Sequence, residues 1–427
     1  MSRTYKIIIS ILVGCVLTLG GFIGGFFVSN AINSVRNAQD DAVTSITSVM
    51  GGGMSGMGSG NKKMSLKDSV SAVYQLMQDS AYKVPSETTA TAGAINGILQ
   101  SAGDKYSRYM PAKEFSSYSE EMGGQFGGIG IVMSEKDGTA YVVEVYKNTP
   151  ASKAGIRSGD VFYKIGNKTS EKWTTQEVQK LVKGKEGTKV TLTMIRPPKK
   201  GEKITSTKDM EGKKLTFTMT RAMITYPNVR SSMKAGNVGY IRLGEFNNLA
   251  SKQVGEAVQK LEKKGAKSLV LDLRENPGGL IKEAVNVSSL FVEKGKIVET
   301  RSRNKESNET FYATGKKITD LPLVVLIDEN SASASEIVAG ALQDYKRAVL
   351  VGTKSFGKGS VQAQYPLSDG SAILLTVQHY FTPKNQDING KGLTPNIKVD
   401  MDPMKQSEAK TDIQLQRALK EAQKKAK

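Results

Sequence analysis

Between residues 238 and 351 the chain alternates short apolar runs with amphipathic stretches, and this alternation restricts its fold more than any other feature. Residues 238–243, 268–273, 321–327 and 348–351 read as strands, and residues 251–264, 280–291 and 333–344 as helices. Strands with a near-continuous apolar sequence need cover on both faces, which predicts a mainly parallel sheet under helices. In such a sheet, reactive groups gather beyond the carboxyl ends of the strands.

Two strand ends carry unusual sequences: Asp272-Leu273-Arg274-Glu275-Asn276-Pro277-Gly278-Gly279, and Asp328-Glu329-Asn330-Ser331-Ala332-Ser333-Ala334-Ser335-Glu336-Ile337. Glycines in the first and a helix start in the second leave backbone N–H groups free to hold an oxyanion. Each also has a plain structural reading, a common turn and a good helix cap. His379 is the chain's single histidine. A serine nucleophile here therefore points to a lysine base, and Lys358 lies in Ser355-Phe356-Gly357-Lys358-Gly359-Ser360, 25 positions after Ser333. As a base that lysine must be neutral, which needs a pKa roughly 2 to 3 units below 10.4, and burial beside apolar neighbours such as Phe356 supplies such a shift. Residues 352–358 approach a phosphate-binding loop, but Gly359 stands where Ser or Thr is required, and strands rather than a helix follow. His379, in a strand pattern beside Tyr380, reads as structural.

Upstream, Gly127-Gly128-Ile129-Gly130-Ile131-Val132 opens a region of short strands at residues 140–145, 161–165, 189–195 and 215–220, with one amphipathic helix at 176–183. Consecutive N–H groups in such a glycine loop can turn toward one anion, as in the capture of a terminal carboxylate. Met133 stands where a dinucleotide fingerprint needs its third glycine.

The N-terminus carries Arg3 and Lys6 and then residues 7–28 without a charge, long enough to span a bilayer core of roughly 30 Å. The basic flank predicts a cytoplasmic N-terminus, with the remainder outside the cell membrane as the body of a single-pass protein. The apolar run continues past Cys15, which favours an uncleaved signal anchor over a removed signal peptide or lipoprotein. Residues 29–63 follow as a glycine-, methionine- and serine-rich tether, and residues 66–99 read as helical with a break near Pro85. One cysteine and one histidine exclude an intrachain disulfide and a Cys/His metal cluster. The formal charge of +19 accompanies no nucleic-acid module, so the excess lysines read as solvated surface.

The order of elements from Gly127, with Gly155-Ile156-Arg157-Ser158-Gly159-Asp160-Val161 and Gly184-Lys185-Glu186-Gly187-Thr188, resembles a circularly permuted PDZ domain of bacterial proteases. Residues 274–279, 329–344 and 356–362 resemble the carboxy-terminal processing protease family, S41 serine peptidases with a Ser-Lys dyad. The resemblance implies an α/β multidomain chain with a crotonase-like α/β protease core. Its parts would be residues 1–28 (anchor), 29–63 (linker), 64–121 (helical segment), 122–222 (PDZ domain), 223–400 (peptidase core) and 401–427 (basic C-terminal helical segment). It implies Ser333 as nucleophile, Lys358 as general base and Gln362 as the residue orienting it, with Ala334 and Gly278 or Gly279 as oxyanion donors. It further implies Gly128, Ile129, Gly130 and Ile131 as the carboxylate loop of the PDZ domain, Lys183 as the link between that domain and the core, and no cofactor. Expected partners are proteins with apolar C-termini and the membrane; the helical ends are compatible with a homodimer, and an activating adaptor fits the class. Two alternatives stay open: a membrane-tethered PDZ scaffold or adaptor-dependent protease inactive on its own, and a crotonase-like acyl-transfer enzyme, which the PDZ domain disfavours.

Overall fold

The computed structural model describes residues 64–197, 211–400 and 411–426. The expected membrane span, Cys15, the tether and most of the lysine-rich excursion after Pro197 lie outside the described residues. Among the described residues no helix is long and apolar enough to cross a membrane.

The chain divides into two units, residues 1–84 and 85–427. In the first, α1 (Leu66–Ser80) starts at Ser65, whose hydroxyl accepts from Asp68 N at 3.2 Å. Its apolar positions Leu66, Val70, Val73 and Leu76 are all exposed.

The second unit opens with α2 (Glu87–Ser101), so the break expected near Pro85 falls between two helices. Then come β1 (Arg108–Met110), α3 (Ala112–Gly123) and β2 (Gln125–Gly128). A small β domain follows: β3 (Ile131–Lys136), β4 (Thr139–Val145), the short helix α4 (Pro150–Ala154), β5 (Val161–Ile165), β6 (Lys168–Thr169), α5 (Thr175–Val182), β7 (Lys189–Arg196) and β8 (Lys213–Thr220). Its antiparallel sheet runs β3-β4-β5-β7-β8, with β6 on β5, and leaves β3 as an edge beside α5. A capping box starts α5: Glu177 N donates to Thr174 Oγ1 at 3.2 Å, and Thr174 N to Glu177 Oε2 at 2.9 Å. Phe162, Leu192, Met194 and Val178 form the domain's own core. The chain leaves through β9 (Ala222–Thr225), which pairs with β2 from Gln125↔Thr225 to Gly128↔Ala222, so the domain is inserted through a two-stranded ribbon.

The core consists of β10 (Val229–Lys234), β11 (Val238–Leu243), α6 (Ala250–Lys263), β12 (Ser268–Asp272), α7 (Ile281–Ser289), β13 (Lys296–Ser302), β14 (Glu309–Tyr312), β15 (Leu323–Ile327), α8 (Ala334–Asp344), β16 (Ala348–Gly352), β17 (Ser360–Pro366), β18 (Ala372–Phe381), β19 (Ile397–Lys398) and α9 (Ile413–Lys425). Its main sheet runs β10-β11-β12-β15-β16-β19, parallel except for β10. All five residues of β12 and of β15 are buried, as their sequences require. Helices α6, α7 and α8 share one hydrophobic cluster with Leu269, Leu271, Val325 and Leu350.

On the sheet's other side, Ala418 and Ala422 of α9 pack on Val270, Val324, Leu326 and Val351. One face of the C-terminal helix is thus used within its own chain, because a parallel sheet needs cover on both faces. A buried ion cluster pins it. Arg274 donates to both carboxylate oxygens of Asp272 (2.9 and 2.7 Å), to both of Asp412 (2.9 and 2.8 Å) and to Gln414 Oε1 (3.1 Å). A second sheet, which strand-helix alternation does not announce, joins β17, β18, β13 and β14 to β1, with Arg108 opposite Leu374.

Asp272 is fully buried. Removing its partner strands a charge away from water, so Arg274→Ala should lower the free energy of unfolding by about 3–5 kcal/mol in urea denaturation. A loss below about 1 kcal/mol would mean that solvent reaches Asp272 once the guanidinium is gone.

Candidate active site

Three neighbouring parallel strands, β12, β15 and β16, end on the same edge of the sheet, and the loops that follow them meet there. Asp328 fastens the first to the second: Glu275 N donates to its Oδ1 at 3.0 Å and so does Ser331 Oγ. Phe356 N donates to Ser331 O at 3.1 Å and fastens the third. These loops and β17 enclose a cavity of about 490 Å³ lined by Ser333, Lys358, Gln362, Gly278, Gly279 and Tyr380.

Of the three serines in residues 331–335, only Ser333 lines this cavity. Ser331 and Ser335 are fully buried, and their hydroxyls donate to Leu273 O at 2.8 Å and Asn276 O at 2.9 Å. Ser333 precedes α8 with φ 53° and ψ −114°, a backbone that a serine keeps only when its surroundings hold it. Ala334 is the first residue of α8, so its N–H has no partner within the helix. Gly278, with φ 107°, lies under it, and a Cβ there would come 2.7 Å from Ser333 Cβ and 3.0 Å from Ala334 N. The Gly278 N–H is itself engaged by Asn276 Oδ1 at 2.9 Å. Of the two glycines expected as oxyanion donors, Gly279 is therefore the one that suits the role.

Lys358 is partly buried, and its Nζ lies 5.1 Å from the centre of the Tyr106 ring. Burial and the charge of Arg108 hold its pKa below the ordinary lysine value, against the opposing pull of Asp104 and Glu336. The aromatic neighbour expected from sequence was Phe356. That ring is 50% exposed and lies instead 5.9 Å from Lys105 Nζ. Tyr106 and Arg108 reach the site on a turn in which Tyr106 N and Ser107 N donate to Asp104 at 3.1 and 3.0 Å, and Thr376 N of β18 anchors that turn by donating to Ser107 Oγ at 3.0 Å. Gln362 shares the cavity, but its amide nitrogen donates to Ser360 Oγ at 2.9 Å and Thr376 Oγ1 at 3.1 Å. Among the described residues, neither Ser333 nor Gln362 hydrogen-bonds the Lys358 amine.

Glu336 is the least anticipated member of the site. Fully buried on α8, it accepts from Ser333 N (2.9 Å), Lys358 N (2.9 Å), Gly357 N (2.8 Å) and Ser355 Oγ (2.5 Å). Burial still outweighs these donors and raises its pKa. Its place three residues after Ser333 is capping-box spacing, a signal present in the sequence.

In the inserted domain Gly128, Ile129, Gly130 and Ile131 line one side of a cavity of about 220 Å³, with Gln179, Val182 and Lys183 opposite. Gly130 has φ 83°, and a Cβ there would meet Thr149 Cβ at 2.4 Å, so the loop requires glycine at this position. Lys183 Nζ donates to Glu120 Oε2 of α3 at 2.9 Å, and Tyr118 and Met122 of that helix wall the larger cavity. Glu245 lines both that cavity and a neighbouring one of about 1010 Å³ beside the inserted domain. His379 is exposed on β18, outside the cavity lining.

Residues 237–399 match the model of Peptidase family S41, and residues 141–196 match a PDZ domain. The chain belongs to peptidase family S41 and is a serine peptidase carrying a PDZ domain. Its relatives place it among the C-terminal processing enzymes. The carboxy-terminal processing protease CtpA of Bacillus subtilis (strain 168) is 33% identical over 376 residues, covering 88% of this chain and 77% of that protein. A probable CtpA-like serine protease of Staphylococcus aureus (strain MRSA252) is 37% identical over 330 residues, covering 77% of this chain and 64% of that protein. The solved photosystem II D1 C-terminal processing protease is 29% identical with a TM-score of 0.44, covering 77% of this chain and 86% of that one.

Burial, followed by the charge of Glu121, pushes the Glu245 pKa up to about 7. A folded pKa above the unfolded one contributes stability that is complete below about 4.5 and is lost as pH rises through about 7. Glu245→Gln should therefore match the parent's Tm at pH 4 and exceed it increasingly from pH 5 to 8. Parallel Tm curves across that range would show that the carboxyl is solvated.

Proposed function

We propose that this chain is a membrane-anchored, extracytoplasmic endopeptidase whose PDZ domain captures protein C-termini and whose Ser333 and Lys358 cleave by an acyl-enzyme mechanism. The observation that carries this proposal is the selection among the three serines: Ser333 alone faces the cavity it shares with Lys358, while the buried hydroxyl of Ser331 is shared between Leu273 O and Asp328 and that of Ser335 is taken by Asn276 O.

In the first step neutral Lys358 takes the proton of Ser333 Oγ as that oxygen attacks the scissile carbonyl carbon. The resulting oxyanion is received by the Ala334 and Gly279 N–H groups. Collapse breaks the C–N bond, Lys358 returns its proton to the leaving amine, and the acyl group remains as an ester on Ser333. Water, deprotonated by Lys358, then hydrolyses the ester and releases the new C-terminus. The Lys358 amine, 5.1 Å from the Tyr106 ring centre and without a hydrogen bond to Ser333 among the described residues, would have to come within reach of Ser333 Oγ, after which Gln362 would orient it. That missing contact is also the specific support for a second reading, an enzyme that acts only with an activating adaptor. Anchoring and location rest on the uncharged run of residues 7–28 and its basic flank, and the proposed domain limits are those given above. Substrate tails would bind as an added strand on β3, with the carboxylate on residues 128–131 and the last side chain, preferably apolar, against Ile129 and Val182.

The test is cleavage of an unstructured protein with an apolar C-terminus by residues 64–427. Ser333→Ala should lower kcat by roughly 10⁴-fold or more with tail binding intact, and Lys358→Ala comparably. Parent activity should rise with pH through a value below the ordinary lysine pKa of 10.5. Full activity in Ser333→Ala would sink the nucleophile assignment; a parent inactive alone but competent to bind tails would favour the adaptor-dependent enzyme. Because the Lys183–Glu120 pair is partly exposed, Lys183→Met should weaken stimulation by a tail peptide no more than about 5-fold. Complete loss of stimulation would make that pair the principal link.

A further inference from the structure

Ser333 and Lys358 lie on different elements, and their spacing is set by side chains that tie their backbones together. Both N–H groups donate to Glu336 Oε2 at 2.9 Å. Both carbonyl groups converge on one phenol: Tyr380 Oη lies 2.6 Å from Lys358 O and 3.1 Å from Ser333 O. Tyr380 belongs to a third element, β18, and is 1% exposed. We infer that Tyr380 is a positioning residue for the peptidase reaction, its hydroxyl bridging the main-chain carbonyls of Ser333 and Lys358 and so setting the distance over which the proton passes between their side chains.

This inference rests on the Ser333–Lys358 assignment above. The phenol has one proton for three acceptors, since Glu336 Oε2 also lies 3.3 Å away. The shortest contact, to Lys358 O, takes most of it, and Ser333 O shares the remainder. Burial and the Glu336 charge keep the phenol well above its ordinary pKa, so the proton remains in place through neutral and alkaline conditions. A second tie runs from the same strand, where Tyr380 N donates to Gly359 O at 2.9 Å, directly after Lys358. The left-handed φ of Ser333 is independent support, because such a backbone persists when neighbours over-determine it, and here both its N–H and its C=O are held.

The test compares Tyr380→Phe, which removes only the hydroxyl, with Tyr380→Leu, which also removes the ring, in the full chain beside Ser333→Ala and Lys358→Ala. In the Phe variant, circular dichroism and KM should stay near the parent's, while kcat falls about 10- to 100-fold as the dyad loses its spacing. The rising limb of its pH profile should move to higher pH as the Lys358 backbone, released from the hydroxyl, lets its amine shift toward solvent. A ring that served only as packing would leave kcat and the pH limb of Tyr380→Phe at parent values and impair Tyr380→Leu alone, which overturns the inference. Parent-like activity in Ser333→Ala or Lys358→Ala would instead overturn the dyad assignment beneath it.

Discussion

A carboxylate buried inside the protein holds the site together. Desolvation of Glu336 opposes its charge, and the compensation comes from four donors, three of them backbone N–H groups on two different loops. An apolar side chain in its place would leave those donors buried without partners, at a cost of about 1–3 kcal/mol each. Glu336 therefore does for the loops of the candidate site what a ladder of backbone bonds does for strands. It can do so because β15 and β16 are parallel neighbours, so the loops leaving their carboxyl ends emerge side by side.

The same logic explains why the main sheet was legible in the sequence. A strand buried on both faces must be apolar throughout, and residues 268–272 and 323–327 lie within a residue or two of the runs read from hydropathy. The helix read at residues 251–264 is Ala250–Lys263, and that read at 333–344 is Ala334–Asp344. The second sheet had no such signature. Two of its strands, β17 and β18, were readable after Lys358, but the pairing of Arg108 with Leu374 joins segments 266 positions apart, which no local pattern reveals. Hidden for the same reason was Tyr106, which reaches Lys358 only because that pairing folds residues 104–110 against β18.

Candidate site residues were readable where a local sequence suggests the chemistry, and unreadable where distant segments converge. Ser333, Lys358 and the glycines of residues 278–279 lie in short motifs, and the structure gathers them in one cavity. Asn276 passed for part of a turn, yet its side chain both occupies the Gly278 N–H and donates to Leu243 O at 3.0 Å. Arg274 belonged to the same motif and turned out to be the clamp for a helix some 140 residues downstream.

How the PDZ domain could influence the cavity is a question of stiffness. The Lys183–Glu120 pair is its visible bridge to α3, but both side chains are partly solvated and such a pair contributes about 1 kcal/mol or less. An allosteric effect of ordinary size needs a coupling of about 1–3 kcal/mol. Arg221, where β8 passes into β9, is better placed to carry it. Its guanidinium donates to Val182 O and Leu181 O at 2.8 Å and to Lys189 O at 2.9 Å, which caps the C-terminus of α5 with a positive charge and joins the groove helix to the ribbon through which the domain is inserted. A tail that shifts α5 must therefore load the ribbon as well as the surface ion pair. The ribbon in turn adjoins α3, where Gly124 N caps the helix and Met122 stands in the cavity wall. Under the proposed reading, recognition of a C-terminus and the shape of the cleavage site are linked through hydrogen-bonded backbone, and the partly exposed Lys183 is a secondary contact.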